Sequence, residues 1–266
     1  MIGAIFGDIV GSVYEFDNIK TKDFPLFGWT NEFTDDTVMT LAVADALLRT
    51  EERTDPKALR GALVEAMHRY GEEYPYAGYG VRFERWLVGK ETGPYGSYGN
   101  GSAMRVSPVS WCARSLREAM TLARVTAEVT HNHPEGIKGA EVTAGATYLA
   151  RTGAPMEELR RFVSSYYDMN FTLDGIRETY RFNETCMDTV PQAMEAFFES
   201  TSFEDAIRNG ISIGGDSDTL CAITGAVAEA YYGVSEEEHG KALSYLDETL
   251  RDVLLRFEAQ YGSAKK

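Results

Sequence analysis

The first apolar stretch, residues 2–14, alternates small and large side chains, and its glycines recur every fourth residue at Gly3, Gly7 and Gly11. Residues four apart lie on one face of a helix. Because glycine carries no side chain, such a stripe lets a second backbone approach closely. The pattern predicts a buried helix that ends near Glu15.

Helical spacing of apolar residues returns in most later segments. Residues 37–48 are apolar with small side chains throughout, as in a central helix, and Asp35 or Asp36 is expected to cap this helix. Pro56 stands in the favoured first turn of a helix that runs to about Tyr70. The other helical segments are Val81 to Val88, Leu116 to Thr130, Gly136 to Ala150, Met156 to Tyr167, Val190 to Glu199, Phe203 to Asn209, Leu220 to Tyr232 and Glu236 to Tyr261.

The fold class follows from these segments, because the sequence lacks a series of alternating β-branched runs separated by hairpin turns. We predict an all-α protein with ten or more helices. At 266 residues the chain is long enough for one large domain or two small ones. Its composition shows no break, so one domain is expected over residues 1–266. No apolar run reaches the ~18 residues that a membrane span requires, and no membrane contact is expected.

Composition and charge narrow the possible partners. The formal net charge of −15 argues against nucleic acids and anionic membranes, since both require a basic face. Cys112, Cys186 and Cys221 are far apart, lie in apolar patterns and lack zinc-site spacing, so we expect reduced core thiols in a cytoplasmic protein. The first residues have no basic leader and include Asp8, which favours the start of a fold over a signal peptide. A monomer is expected.

Two acidic loops carry the candidate chemistry. Residues 214–219 read Gly-Gly-Asp-Ser-Asp-Thr before an apolar segment, and residues 34–37 read Thr-Asp-Asp-Thr before another. If the loops meet, four carboxylates and several hydroxyls converge, with Glu15 as a plausible fifth acid. Packed carboxylates raise one another's pKa unless a cation intervenes. Oxygen ligands without histidine or cysteine select magnesium, manganese or calcium over zinc.

A second interpretation of the same acids is structural. Each aspartate can cap a helix N-terminus on its own and stabilise it by typically ~1 kcal/mol. Spacing alone does not separate metal binding from capping, so both interpretations stay open at this point.

A glycine-rich segment, residues 89–101, leads into residues 103–106. Exposed backbone N–H groups near a helix start suit phosphate, although taken alone the glycines favour a plain tight turn. His131 and His133 either hydrogen-bond a loop or lie near a bound ligand. Covalent nucleophilic catalysis is disfavoured, because the sequence has no Gly-x-Ser-x-Gly elbow and no cysteine matched to a histidine.

Five motifs, in this order along the chain, resemble those of the ADP-ribosylglycohydrolases. That family includes the dinitrogenase reductase-activating glycohydrolase and the eukaryotic ADP-ribosyl-acceptor hydrolases, and the resemblance extends from residue 2 to about residue 233. The motifs are Gly7-Asp8-Ile9-Val10-Gly11-Ser12-Val13-Tyr14-Glu15, Thr34-Asp35-Asp36-Thr37, Gly99-Asn100-Gly101-Ser102-Ala103-Met104-Arg105, Thr130-His131-Asn132-His133-Pro134 and Gly214-Gly215-Asp216-Ser217-Asp218-Thr219.

The resemblance implies an all-helical orthogonal bundle with two Mg²⁺ or Mn²⁺ ions in a cleft. By motif, one ion would be bound by Thr34, Asp35 and Asp36. The other would be bound by Asp216 and Thr219, and Asp218 would bridge the two. Glu15 matches the family's glutamate beside the metals, which is implicated both as a ligand and in catalysis.

The resemblance also implies a substrate site. The loop that holds the diphosphate and ribose of ADP-ribose matches Ser97, Tyr98, Gly99 and Asn100. His131 matches a histidine on the same ligand. Tyr95 or Tyr98 is expected to stack near the adenine.

The implied reaction is hydrolysis at the anomeric carbon of ADP-ribose, through an oxocarbenium-like state that carboxylates stabilise. Glu15 or Asp36 would accept or donate the proton. The expected substrate is ADP-ribosyl-arginine on a protein, because an acidic cleft favours a guanidinium leaving group. Three alternatives remain: another linkage such as serine or a small ADP-ribose derivative, a magnesium-dependent hydrolase of phosphoesters or nucleosides, and a non-catalytic ADP-ribose-binding module.

Overall fold

The computed structural model describes residues 1–50, 55–89 and 93–262, and these residues form fifteen helices and no strand. The helices are α1 (Ile2–Gly11), α2 (Asp35–Arg49), α3 (Pro56–Glu73), α4 (Val81–Val88), α5 (Gly101–Met104), α6 (Ser107–Cys112), α7 (Leu116–Glu128), α8 (Pro134–Arg151), α9 (Met156–Ser164), α10 (Leu173–Ile176), α11 (Cys186–Phe198), α12 (Phe203–Ser212), α13 (Ser217–Tyr232), α14 (Glu236–Leu243) and α15 (Glu248–Tyr261).

The predicted all-α class is confirmed. Residues 90–92 of the glycine-rich segment, and residues 51–54 and 263–266 of the expected single domain, lie outside the described residues. Within the described ranges, no helix has both the length and the hydropathy needed to cross a membrane. All three cysteines are buried thiols, as expected.

Helix α13 is the centre of the bundle and packs against α1, α8, α11 and α12. Its contact with α1 uses the predicted glycine stripe. A Cβ atom at Gly7 would lie 2.0 Å from the carbonyl oxygen of Cys221, and one at Gly11 would lie 2.5 Å from the Cα of Asp218. The two backbones therefore touch directly, and this contact fixes the start of α13 beside the end of α1.

Replacing Gly7 with Ala is expected to destabilise the fold by about 2 kcal/mol or more, because backbone atoms of α13 must move to admit the new methyl group. Gly61→Ala is the matched control. Gly61 lies within α3, and a Cβ there meets nothing within 4 Å, so alanine should stabilise by about 0.5–1 kcal/mol through helix propensity. Urea unfolding of the two variants measures both effects. Equal stability of Gly7→Ala and the wild type would contradict the close contact.

Several predicted boundaries are wrong for identifiable reasons. Helix α1 ends at Gly11, not near Glu15, because the Tyr14 N–H donates to the Gly11 carbonyl three residues back and the chain leaves the helical pattern there. The Asn18 side chain then donates to the carbonyls of Tyr14 and Glu15. Thr34, not Asp35 or Asp36, caps α2, and its hydroxyl accepts a hydrogen bond from the Asp36 N–H. Both aspartates are thereby left in the first turn, with their carboxylates directed elsewhere.

The predicted C-terminal helix, residues 236–261, is two helices. Asp247 starts the second by accepting a hydrogen bond from Leu250 N at 2.9 Å, so the apolar stripe continues across a break. Helix α11 begins at Cys186, four residues before the predicted Val190, because a proline at position 191 is accommodated inside it. The short helices α6 and α10 were not predicted, and α5 begins at Gly101, just before the helix start expected at residues 103–106.

Candidate metal and substrate site

Three chain segments deliver carboxylates to one place. Glu15 follows the end of α1, Asp35 and Asp36 open α2, and Asp216 and Asp218 open α13. The last loop turns sharply through two glycines at φ +66° and +88°, a conformation that residues with side chains rarely adopt. The side chain of a single asparagine, residue 18, holds this turn against the end of α1 through both the N–H and the carbonyl of residue 215.

The carboxylates form two overlapping groups. In each group, ligand oxygens of three acids lie within 4.8 Å of one another, and Asp218 belongs to both. The groups are Asp8, Asp36 and Asp218, and Glu15, Asp216 and Asp218. The predicted meeting of the two acidic loops is therefore confirmed, although they are about 180 residues apart in the chain. The identity of the metal ligands stays a prediction.

The burial of these acids is costly without a cation. Burial raises the pKa of Glu15 to about 8 and that of Asp216 to about 6. For Asp35, Asp36 and Asp218, burial and then the neighbouring carboxylates raise the pKa well above its usual range. A buried carboxylate requires a partner charge or hydrogen bonds.

One oxygen of this cluster points most directly to a missing partner. Oδ1 of Asp36 is buried and has no hydrogen-bond partner among the described residues. Its Oδ2 accepts a hydrogen bond from Thr219 Oγ1 at 3.0 Å. The donors around it are carboxylate and hydroxyl oxygens, which fit a hard divalent cation such as Mg²⁺ or Mn²⁺.

Asp8 belongs to the site, although sequence analysis did not assign it. Its Oδ1 accepts from Thr34 Oγ1 at 2.7 Å, and its Oδ2 accepts from the N–H groups of Thr34 and Thr37 and from the Thr37 hydroxyl. With its acceptor positions used in this way, Asp8 orients the loop that precedes α2. The available signal was a lone aspartate in an otherwise apolar helix.

A cleft of about 430 Å³ opens above the acids. Its floor contains Glu15, Asp35, Asp216, Asp218 and Thr219. Asp36 lies beneath the floor and is 1% exposed. The side wall includes residues 78–83 and part of the glycine-rich segment.

Four of the five predicted substrate-binding residues line the cleft, and the fifth does not. Ser97, Gly99, Asn100 and His131 line the cleft, as does Tyr95. Tyr98 does not line it. Its side chain is 43% exposed, and its ring packs edge-on against His133. Of the two tyrosines considered for adenine stacking, Tyr95 is the one at the cleft.

Asn100 connects the wall to the floor. Its Nδ2 donates to Asp216 Oδ2 at 2.7 Å and to Thr189 Oγ1 at 3.2 Å. The Asn100 N–H donates to the carbonyl of Glu184 at 2.7 Å, which fixes this loop to the segment before α11. The glycine-rich loop is thus positioned by the same acid that belongs to the second carboxylate group.

Comparisons of the sequence and of the fold with known proteins all find ADP-ribosylglycohydrolases and related hydrolases. The ADP-ribosylglycohydrolase family model matches residues 1–257. The chain is 28% identical to the mouse ADP-ribosylhydrolase ARH3 over 316 aligned residues, which cover 89% of this chain and 83% of that protein. It is 30% identical to the ADP-ribosylarginine hydrolase Tri1 of Pseudomonas putida (strain GB-1) over 262 residues, covering 88% of this chain and 70% of that protein. A solved structure described as an ADP-ribosylglycohydrolase-related protein complex superposes with a TM-score of 0.69 at 26% identity and covers 98% of this chain and 97% of that chain.

Proposed function

Since the chain belongs to the ADP-ribosylglycohydrolase family and is a glycosidic-bond hydrolase, we propose that it releases ADP-ribose from ADP-ribosyl-arginine on a protein. One observation carries this proposal. Four acids from three distant segments line the floor of a cleft whose wall includes a glycine-rich loop, and Asp36 lies directly beneath them. The floor suits metal ions and a ribose, and the wall suits a diphosphate.

Two hard cations would be held by the residues that the family motifs indicate. Thr34, Asp35 and Asp36 would bind one, Asp216 and Thr219 the other, and Asp218 both. The shared position of Asp218 in the two carboxylate groups supports this division. Bound divalent ions supply charge neutralisation and orient hydroxyl groups of the substrate. Asp8 would position Thr34, because its two oxygens accept hydrogen bonds from the Thr34 N–H and hydroxyl.

The chain's own groups would carry out the proton transfer and stabilise positive charge. Breaking the bond at the anomeric carbon produces an oxocarbenium-like state, which the carboxylates of the floor stabilise electrostatically. Glu15 is favoured over Asp36 as the proton-transferring group. Glu15 is half-buried and lines the cleft, whereas Asp36 lies beneath its floor.

The mouth of the cleft supports a guanidinium leaving group. Phe16 and Phe182, which are 85% and 42% exposed, stack with ring centroids 6.0 Å apart at the cleft. Glu184 lines the same region and is close enough to Glu15 to help raise the pKa of that carboxyl. Aromatic faces and carboxylates both attract a guanidinium. A serine leaving group carries no positive charge, so it would gain neither the cation–π contact nor the ion pair.

The test of function is release of ADP-ribose from arginine-modified and serine-modified protein, each with Mg²⁺, with Mn²⁺ and with a chelator. Release from the arginine-modified protein that requires a divalent ion is expected. Release from the serine-modified protein alone would overturn the arginine assignment and leave the glycosidic hydrolase in place. Binding of ADP-ribose without release from any acceptor would indicate a non-catalytic module.

Glu184→Gln is expected to lower kcat/KM for the arginine-linked substrate by about tenfold, since an exposed ion pair with a guanidinium is weakened but not every contact is lost. Activity toward a serine-linked substrate should change less than twofold. Glu72→Gln, at an exposed position on α3, is the matched control for loss of one negative charge. An equal fall for both linkages would contradict a role for Glu184 in selecting the acceptor.

A further inference from the structure

Arg105 is a buried cation beside the cleft. Its side chain is 1% exposed, and among the described residues no carboxylate lies within ion-pair distance. Its Nη2 donates to the Thr126 carbonyl at 3.2 Å and to Thr130 Oγ1 at 2.8 Å. Burial lowers the pKa of Arg105 to about 10, so the guanidinium stays charged at neutral pH.

The Thr130 hydroxyl, which accepts from Arg105, also contacts a histidine ring. Its Oγ1 lies 2.7 Å from Nδ1 of His131. A hydroxyl group has one proton to donate and two lone pairs that accept. Arg105 uses one lone pair, so the contact with His131 is either Thr130 donating to a bare Nδ1 or Nδ1–H donating to Thr130.

The surroundings favour the first arrangement. The guanidinium lies on the Nδ1 side of the ring, where a lone pair is attracted to the cation and an N–H is repelled. Thr130, whose hydroxyl oxygen accepts from Arg105, then donates its own proton to Nδ1.

The same surroundings keep the imidazole neutral. Burial first, and then the positive charges of Arg105 and Arg82, lower the pKa of His131 well below its usual range. With Nδ1 bare, the single ring proton resides on Nε2. Among the described residues Nε2 makes no hydrogen bond, and a Cβ added at Gly99 or Gly101 would lie 3.4 Å from it.

We propose that Arg105 and Thr130 are positioning residues that hold His131 as the Nε2–H tautomer, so that it donates one hydrogen bond to a diphosphate or ribose oxygen of the bound ligand. The part that concerns the ligand rests on the proposed function, and the tautomer does not. A neutral donor whose direction is fixed by buried partners loses little freedom on binding. The glycines of the facing loop leave the space in front of Nε2 free of side chains.

The tautomer is measured without any ligand. In protein labelled with ¹⁵N-histidine, long-range ¹H–¹⁵N spectra distinguish a protonated nitrogen from a bare one, and the spectrum of His131→Gln assigns His131 among the four histidines. A bare Nδ1 and a protonated Nε2 are expected at pH 7. A protonated Nδ1, or an imidazolium, would overturn the proposal whatever the substrate is.

Thr130→Val tests the positioning role with ADP-ribose as the probe. Loss of the hydroxyl should give a mixture of His131 tautomers and weaken ADP-ribose binding roughly tenfold, as expected for one hydrogen bond that is no longer oriented. Thr130→Ser should restore both the tautomer and the affinity. Thr126→Val is the matched control, because among the described residues the lost hydroxyl donates to the Ala123 carbonyl on the same helix and to no ligand-facing group.

Two outcomes of this experiment would count against the proposal. The first is an unchanged tautomer in Thr130→Val. The second is an altered tautomer with unchanged affinity, which would remove His131 from ligand binding. If wild-type protein fails to bind ADP-ribose at all, the proposed function fails, while the tautomer measurement still decides the role of Arg105 and Thr130.

Discussion

Asp218→Ala should release no measurable ADP-ribose, with turnover at least about 10³-fold below wild type. Asp218 is the one acid common to both carboxylate groups, so its removal takes a ligand oxygen from each proposed ion. Addition of Mn²⁺ or Mg²⁺ should then no longer raise the melting temperature of the variant. Wild-type protein should gain stability in proportion to the logarithm of the ion concentration above its dissociation constant.

Without metal, the direction in which an Asp218 substitution changes the stability of the fold distinguishes loss of a metal ligand from simple damage to the fold. The pKa of Asp218 is raised in the folded protein. A carboxyl with a raised folded pKa binds its proton more tightly in the folded than in the unfolded state, so its contribution becomes destabilising as pH rises above the unfolded value of about 3.9. In chelator at pH 8, Asp218→Asn should therefore be more stable than wild type. Saturating Mn²⁺ should reverse the order.

Asp45→Asn is the control for removing a buried aspartate elsewhere. Asp45 is 3% exposed and forms ion pairs with Arg49 and Arg69. Its replacement should lower stability in chelator and leave the Mn²⁺-induced stabilisation intact. Retained turnover in Asp218→Ala, or an unchanged Mn²⁺ effect, would defeat the bridging role.

Two sequence signals made the meeting of the acidic loops predictable. They are the glycine stripe of α1 and the shared pattern of two carboxylates with neighbouring hydroxyls before an apolar segment. The glycine stripe at Gly3, Gly7 and Gly11 requires a close backbone neighbour, and Gly11 packs on the Cα of Asp218 itself. A local pattern thus encoded a long-range contact. The acids then had to lie near Glu15, which follows the same helix.

The features that could not be predicted depend on side chains whose hydrogen-bond or packing partners are far away along the chain. The Asn18 amide ties the turn after α1 to residue 215, a contact that no local pattern reveals. Asp8 was not assigned, since the four groups that donate to it belong to Thr34 and Thr37 at the start of α2, far from Asp8 along the chain. Tyr98 shares a loop with the cleft residues Ser97 and Gly99, yet its ring packs on His133 and does not line the cleft.

Glu15→Gln should separate catalysis from metal binding. Glu15 lines the cleft, follows the end of α1 and has its pKa raised to about 8 by burial and by Asp218. A general acid or base typically contributes 10²–10⁴-fold, so kcat should fall by about that factor. Glutamine keeps the shape and one oxygen, and the affinity for ADP-ribose should change less than about threefold.

The Mn²⁺-induced rise in melting temperature decides between the two roles given to Glu15. If Glu15 acts mainly on the proton, the variant keeps that rise while kcat falls. If it is an essential ligand, the rise and kcat disappear together, as in Asp218→Ala. Asp17→Asn, an exposed acid two residues further on, should change neither. A Glu15→Gln enzyme with wild-type kcat would remove Glu15 from the reaction, and proton transfer would then fall to Asp36, which reaches the substrate only if the floor of the cleft opens.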